Sequence, residues 1–242
     1  MLRSALFYLG ALIGVVVTYL TMLVCAPFGL RVRHRLLRAI AGFLLGWLRL
    51  TCGIRSEVRG LENMPAGPCV LLCKHQSAWE TLALTRILPN ATFVLKKELL
   101  EAPLLGFGFR AMHPIPIDRK RARDALREVV AQGVDRLRQG QAVVIFPEGT
   151  RVAPGAHAPW RKSGAELARK AEVPLVPVAH NSGSFWQHGA FAKRAGTIQL
   201  EFGPAAAVGA AGSAELTENA RTWVEQRVQQ FEEAASGQRP ST

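Results

Sequence analysis

His75 and Glu80 stand in the stretch Lys74-His75-Gln76-Ser77-Ala78-Trp79-Glu80. An imidazole takes and returns a proton near neutral pH, and a carboxylate bonded to one ring nitrogen leaves the other to act as the base. Five positions apart, the two side chains cannot share one helix face, because about 3.6 residues per turn carry them well round the cylinder. They meet only if His75 lies in a turn and Glu80 in the first turn of the helix that follows. The sequence provides those elements: the apolar run Cys69-Val70-Leu71-Leu72-Cys73 reads as a buried strand, and Glu80 to Leu88 as the start of a helix. A structural reading fits the same residues. Ser77 followed by Glu80 is a capping box, in which Ser77 caps the helix and Glu80 bonds back to the backbone. The spacing leaves both readings open.

A second polar turn follows a second strand-like run. Ala142-Val143-Val144-Ile145 leads into Phe146-Pro147-Glu148-Gly149-Thr150-Arg151, where proline and glycine turn the chain and present charged tips suited to a polyanionic or polyhydroxyl ligand. With these residues the chain resembles the 1-acylglycerol-3-phosphate acyltransferases, whose four sequence blocks occur in the order found here. His75 to Glu80 is similar to the family's H-x4-D block, and Pro114-Ile115-Pro116-Ile117-Asp118-Arg119 to its second block. Phe146 to Arg151 is similar to the third, and Val173-Pro174-Leu175-Val176-Pro177-Val178 to the fourth. The likeness runs from about Arg55 onward, and four ordered blocks are far more specific than one. The family usually has Asp where this chain has Glu80, so the carboxylate must reach His75 from a slightly different backbone position.

The resemblance implies a function and assigns roles. A fatty acyl group would pass from acyl-CoA or acyl carrier protein thioester to the free hydroxyl of lysophosphatidic acid, giving phosphatidic acid, with no other cofactor; ligand spacing in the sequence indicates no metal. His75 would be the general base and Glu80 its partner; Arg119 and Arg151 would clamp the acceptor phosphate. Glu148 would bind the acceptor or order Arg151, Gly149 would allow close backbone approach, and Thr150 would join them in binding the substrate. Lys96 and Lys97, at the end of the short strand Thr92 to Leu95, are further candidates for phosphate, although solvated surface lysines have the same signature. Lys162, at the mouth of a short helix running to Ala171, is another. Two alternatives are an acyltransferase for a different lysolipid, such as a lyso-ornithine lipid or lysophospholipid, and a non-catalytic membrane lipid-binding protein.

The remaining sequence sets the frame for these residues. At 242 residues the chain has room for one sizeable α/β domain and an appendage. The reading is a single acyltransferase domain over residues 54–242, a mixed β-sheet flanked by helices, preceded by hydrophobic membrane-anchoring helices over residues 1–53. Ser4 to Leu30 carries no charged side chain and is long enough for a membrane helix, which needs about 20 apolar residues. Arg31, Arg33, Arg35 and Arg38 follow it and favour retention of the downstream chain on the cytoplasmic side of the inner membrane. A cleaved signal peptide is the rival reading. Ala39 to Leu50 is apolar apart from Arg49 and too short to cross a bilayer alone. Spanning and one-leaflet insertion are both open.

The formal charge of +12 calls for an anionic partner. With two tyrosines, an apolar N-terminus and no nucleic-acid motif, the partner read here is lipid or phosphorylated substrate rather than nucleic acid. The four cysteines form no C-x-x-C pair, so neither a disulfide framework nor a zinc site is indicated. Pro103 to Met112, rich in glycine and phenylalanine, fits either an acyl groove or packing under a loop.

Overall fold

The structure, a computed structural model, describes residues 1–25, 27–103, 105–118 and 122–237. Two long helices open the chain, α1 (Leu2–Val24) and α2 (Leu30–Cys52). They are followed by β1 (Ile54–Arg59), β2 (Val70–Cys73), α3 (Trp79–Ile87), β3 (Ala91–Lys96), α4 (Leu105–Ala111) and β4 (Ile115–Ile117). The second half runs α5 (Ala122–Arg138), β5 (Ala142–Ile145), α6 (Ser163–Ala171), β6 (Leu175–His180), β7 (Gly196–Phe202) and α7 (Ser213–Gly237). The strands form one sheet in the order β1-β7-β6-β2-β5-β3-β4. β6, β2, β5, β3 and β4 are mutually parallel, β7 is antiparallel to β6, and β1 is parallel to β7.

The central strands are apolar on both faces because both faces are covered by helices. In β2, Leu71 packs with α3 and the N-terminal helices, while Val70 and Leu72 pack with residues of α5 and α6 on the other side. The edge strand β1 differs. Only Ile54 is buried and Arg55 to Arg59 are exposed, so its sequence lacks the alternation that marks a half-buried strand.

The apolar segment Ala39 to Leu50 packs back along α1 as part of a longer helix. It is the second half of the 23-residue α2, whose first half carries the four arginines. His34, Leu37, Ala41, Leu48 and Cys52 recur on one buried stripe, and that stripe rather than continuous hydrophobicity holds the helix against the domain. Gly53 ends α2 in the left-handed conformation (φ 71°), with its N–H on the Arg49 carbonyl, and β1 begins at the next residue. α1 pairs with α2 and is long and apolar enough to cross a membrane. Leu9, Leu12, Ile13, Leu20 and Val24 are among its exposed side chains.

Candidate active site

Because β2, β3, β5 and β6 run parallel, their C-terminal ends lie on one edge of the sheet, where ligands of open α/β folds bind. β2 delivers Lys74 and His75 to this edge, β5 delivers the 146–151 turn, β3 delivers Lys96 and Lys97, and β6 delivers His180 to Ser182.

His75 lies in the β2–α3 turn and Glu80 in the first turn of α3, and His75 Nδ1 is 2.8 Å from Glu80 Oε1. With Glu80 ionised, Nδ1–H donates, and Nε2 carries the lone pair. The imidazole lies against the Phe146 ring at 4.0 Å between centroids and 17° between planes, which leaves little freedom to rotate away from the carboxylate.

Glu80 is fully buried and collects five donors. Oε1 accepts from His75 Nδ1 and from the backbone N–H groups of Gln76 (2.9 Å) and Ser77 (2.8 Å). Oε2 accepts from Ser77 Oγ (2.7 Å) and Ser182 Oγ (3.0 Å), the two hydroxyl oxygens being 2.8 Å apart. Burial opposes the charge, but the hydrogen bonds from His75 and Ser77 outweigh it and hold the carboxyl well below the usual carboxylate range. The two readings of the sequence therefore coexist. Ser77 Oγ accepts from Trp79 N–H as a helix cap while Glu80 closes back on the Ser77 backbone and binds His75. The longer Glu side chain has room for both tasks.

A second buried charge pair underlies the site. Lys74 Nζ is 3.5 Å from Glu148 Oε1, and neither side chain is more than 3 % exposed. Burial pushes the Glu148 carboxyl up to about 7, against the opposing influence of Lys74 and nearby backbone N–H groups. The charged partner of Glu148 is thus Lys74 rather than Arg151. Arg151 donates from Nε to the Ser77 carbonyl (3.1 Å) and from Nη1 to His188 Nδ1 (3.1 Å), tying the 146–151 turn to the loop that carries His75. Gly149 is left-handed at φ 70°, and a Cβ there would stand 3.3 Å from Arg161 Nε, which places a further guanidinium beside the turn. Thr150, Lys96, Lys97 and Lys162 are exposed at this edge, and Arg119 lies outside the described residues. Among the described residues no group of three or more His, Cys, Asp and Glu side chains is placed to hold a metal.

Ser182 escaped sequence reasoning as a member of the site, whereas His180, with no carboxylate in a paired pattern, reads from the sequence as structural or at the rim. Ser182 reaches Glu80 across 102 positions of sequence, and no local pattern announces that contact. His180 is fully buried; its Nε2 donates to the Lys74 carbonyl (2.7 Å) and its Nδ1 accepts from Ser182 N–H (3.3 Å). Burial holds it below the usual imidazole range, so it is a neutral strut between the β2 and β6 loops. Lys74 stands in the same polar stretch as His75, and its burial carries no sequence signal.

Two comparisons place this geometry in a class. Residues 55–181 match the family model described as Acyltransferase. The fold is also that of the crystal structure of the 1-acyl-sn-glycerophosphate acyltransferase PlsC from Thermotoga maritima, with a TM-score of 0.80 and 22 % identity over 100 % of this chain and 97 % of that one. Among sequence relatives, the 1-acyl-sn-glycerol-3-phosphate acyltransferase of Pseudomonas aeruginosa is 40 % identical over 228 residues, covering 92 % of this chain and 89 % of its own. The human 1-acyl-sn-glycerol-3-phosphate acyltransferase alpha is 35 % identical over 73 % of this chain and 61 % of its own. The chain belongs to the 1-acyl-sn-glycerol-3-phosphate acyltransferase family.

Proposed function

We propose that the protein transfers a fatty acyl group from an acyl thioester to the free hydroxyl of lysophosphatidic acid, giving phosphatidic acid for phospholipid synthesis. The observation that carries this reading is the 2.8 Å bond from His75 Nδ1 to a buried, ionised Glu80, which presents Nε2 as a base at the sheet edge. Nε2 takes the proton of the acceptor hydroxyl as its oxygen attacks the thioester carbonyl carbon. The C–O bond forms, the C–S bond breaks, and the imidazolium returns the proton to the leaving thiolate. Glu80 stabilises the imidazolium between these steps without itself taking the proton. Direct transfer uses no covalent acyl-enzyme and no cofactor beyond the thioester co-substrate.

Arg151 and Arg119 serve the acceptor phosphate in this reading, with Lys96, Lys97 and Lys162 as further cations at the edge. Arginine suits phosphate because its planar fork donates to two oxygens at once. An apolar cavity of about 180 Å³ supports a lipid substrate: α3 contributes Leu82 and Thr85 to its wall, α4 contributes Phe109, and the N-terminal helices contribute Val15 and Leu44. It borders the helix that carries Glu80 and would take an acyl tail. The apolar α1 supports a reaction at a membrane, and this reading puts it on the cytoplasmic side, where the acidic donors, acyl-CoA and acyl carrier protein, are found. Products from lysophosphatidic acid, monoacylglycerol and a lysophosphocholine, each offered with acyl-CoA or acyl carrier protein thioester, test the assignment. Phosphatidic acid should predominate; equal acylation of the acceptors lacking a phosphate monoester would overturn it.

A further inference from the structure

Away from His75, a cavity of about 620 Å³ opens between the first turn of α1, the last turns of α2 and the starts of β1 and β7. Arg3, Arg49 and Arg55 stand on its wall, and none of its lining residues is acidic. Arg3 is held in place: its Nε donates to the Thr51 carbonyl at 2.9 Å, and its Nη2 lies 3.3 Å from where a Cβ of Gly53 would stand. Gly53 (φ 71°) and Gly196 (φ 150°) bring backbone without side chains to the wall; a Cβ on Gly53 would crowd Arg3, and one on Gly196 would run into the Phe185 ring. Three guanidinium groups around one space repel each other, and a phosphate there would be met by paired N–H donors.

The location indicates the source of that phosphate. β7 is antiparallel to β6 and β1 is parallel to β7, so β1 and β7 begin on the edge where β2 and β6 end. The hollow and His75 therefore lie toward the same edge of the sheet, with β1 three strands from β2. Leu50 on the wall is 75 % exposed, and Leu2, one residue from Arg3, is 84 % exposed. From there the exposed apolar face of α1 continues through Leu6, Leu9 and Leu12. Apolar surface meeting a cationic hollow matches a molecule with acyl chains and an anionic head.

We propose that this hollow binds the phosphate headgroup of an anionic membrane phospholipid and so pins the edge carrying His75 against the bilayer. The site is separate from the acceptor's and does not depend on turnover.

The test is lipid binding to the full chain purified in detergent, read by native mass spectrometry during titration with phosphatidylglycerol, phosphatidic acid or phosphatidylcholine. The His75→Ala variant should bind as the wild type does, which separates this inference from the catalytic one. Anionic lipid should bind more tightly than phosphatidylcholine, and Arg49→Ala/Arg55→Ala should weaken it about 25-fold, on the scale of about fivefold per arginine at a lipid surface. Arg127→Ala/Arg138→Ala removes the same charge from exposed positions of α5 and should change nothing. Should the alanine pair fail to fold, Arg49→Lys/Arg55→Lys keeps the charge and loses the forked donors, and a loss of several-fold is expected. Equal losses from the α5 pair, or none from the lysine pair in that case, would overturn the proposal. Displacement of the lipid by free coenzyme A or glycerol 3-phosphate would also do so, assigning the hollow to a soluble phosphate.

Discussion

Replacing Glu80 by glutamine separates the charge of the carboxylate from its shape. The amide oxygen can keep the three N–H donors that Oε1 now accepts, from His75, Gln76 and Ser77. The amide nitrogen then meets the hydroxyls of Ser77 and Ser182, which can rotate and accept where they now donate. The cap, the turn and the His75 tautomer are retained, and the melting temperature should move little. What is lost is the negative charge beside the imidazolium formed during proton transfer. At about 4 Å and an effective dielectric constant of about 20, that attraction is worth about 4 kcal/mol. A loss of about 3–4 kcal/mol from the transition state lowers kcat by about 10²- to 10³-fold. Steady-state kinetics on folded Glu80→Gln protein provides the assay. A kcat within about threefold of wild type would mean that Glu80 caps α3 and does nothing for the base, and the reasoning would fail. Glu80→Ala, by contrast, leaves five buried donors unpaired and should cost more than about 3 kcal/mol of stability in chemical denaturation.

Three further outcomes follow from the same geometry. Ser182→Ala removes one hydrogen bond to a charged acceptor and should lower kcat about tenfold with little change in KM; an unchanged kcat would show the bond to be idle. Gly149→Ala places a Cβ on a left-handed residue 3.3 Å from Arg161 Nε, and should destabilise the protein by about 1–2 kcal/mol in a urea titration. For Glu148, the folded carboxyl titrates at about 7 against the usual 4.5, so between those values the folded state binds the proton more tightly than the unfolded state. Stability should therefore fall as pH rises through that window, by about 3 kcal/mol in all. Denaturation of Glu148→Gln across the same pH range should lack this decline.

The parts of the site set by local spacing were legible in the sequence. The strand-turn-helix around His75 and the turn at Phe146 to Arg151 each follow an apolar run short enough to be a strand, and both runs are strands, Val70–Cys73 and Ala142–Ile145. The parts set by contacts distant in sequence were not. Ser182 and His180 join the site only because β6 pairs beside β2. Lys74 is buried because Glu148 arrives from β5. β1 escaped as a strand because an edge position exposes five of its six residues. The unity of α2 was hidden because arginines crowd its first half and apolar residues its second, although one buried stripe runs through both.

The central claim is that His75 is the base in acyl transfer to lysophosphatidic acid. Thiol release on detergent-purified protein, offered acyl-CoA or acyl carrier protein thioester with lysophosphatidic acid, tests it most directly when wild type and His75→Ala are run side by side. The account predicts acceptor-dependent thiol release and phosphatidic acid from the wild type, and neither above background from a variant with an unchanged melting temperature. Turnover by His75→Ala at near the wild-type rate would contradict it.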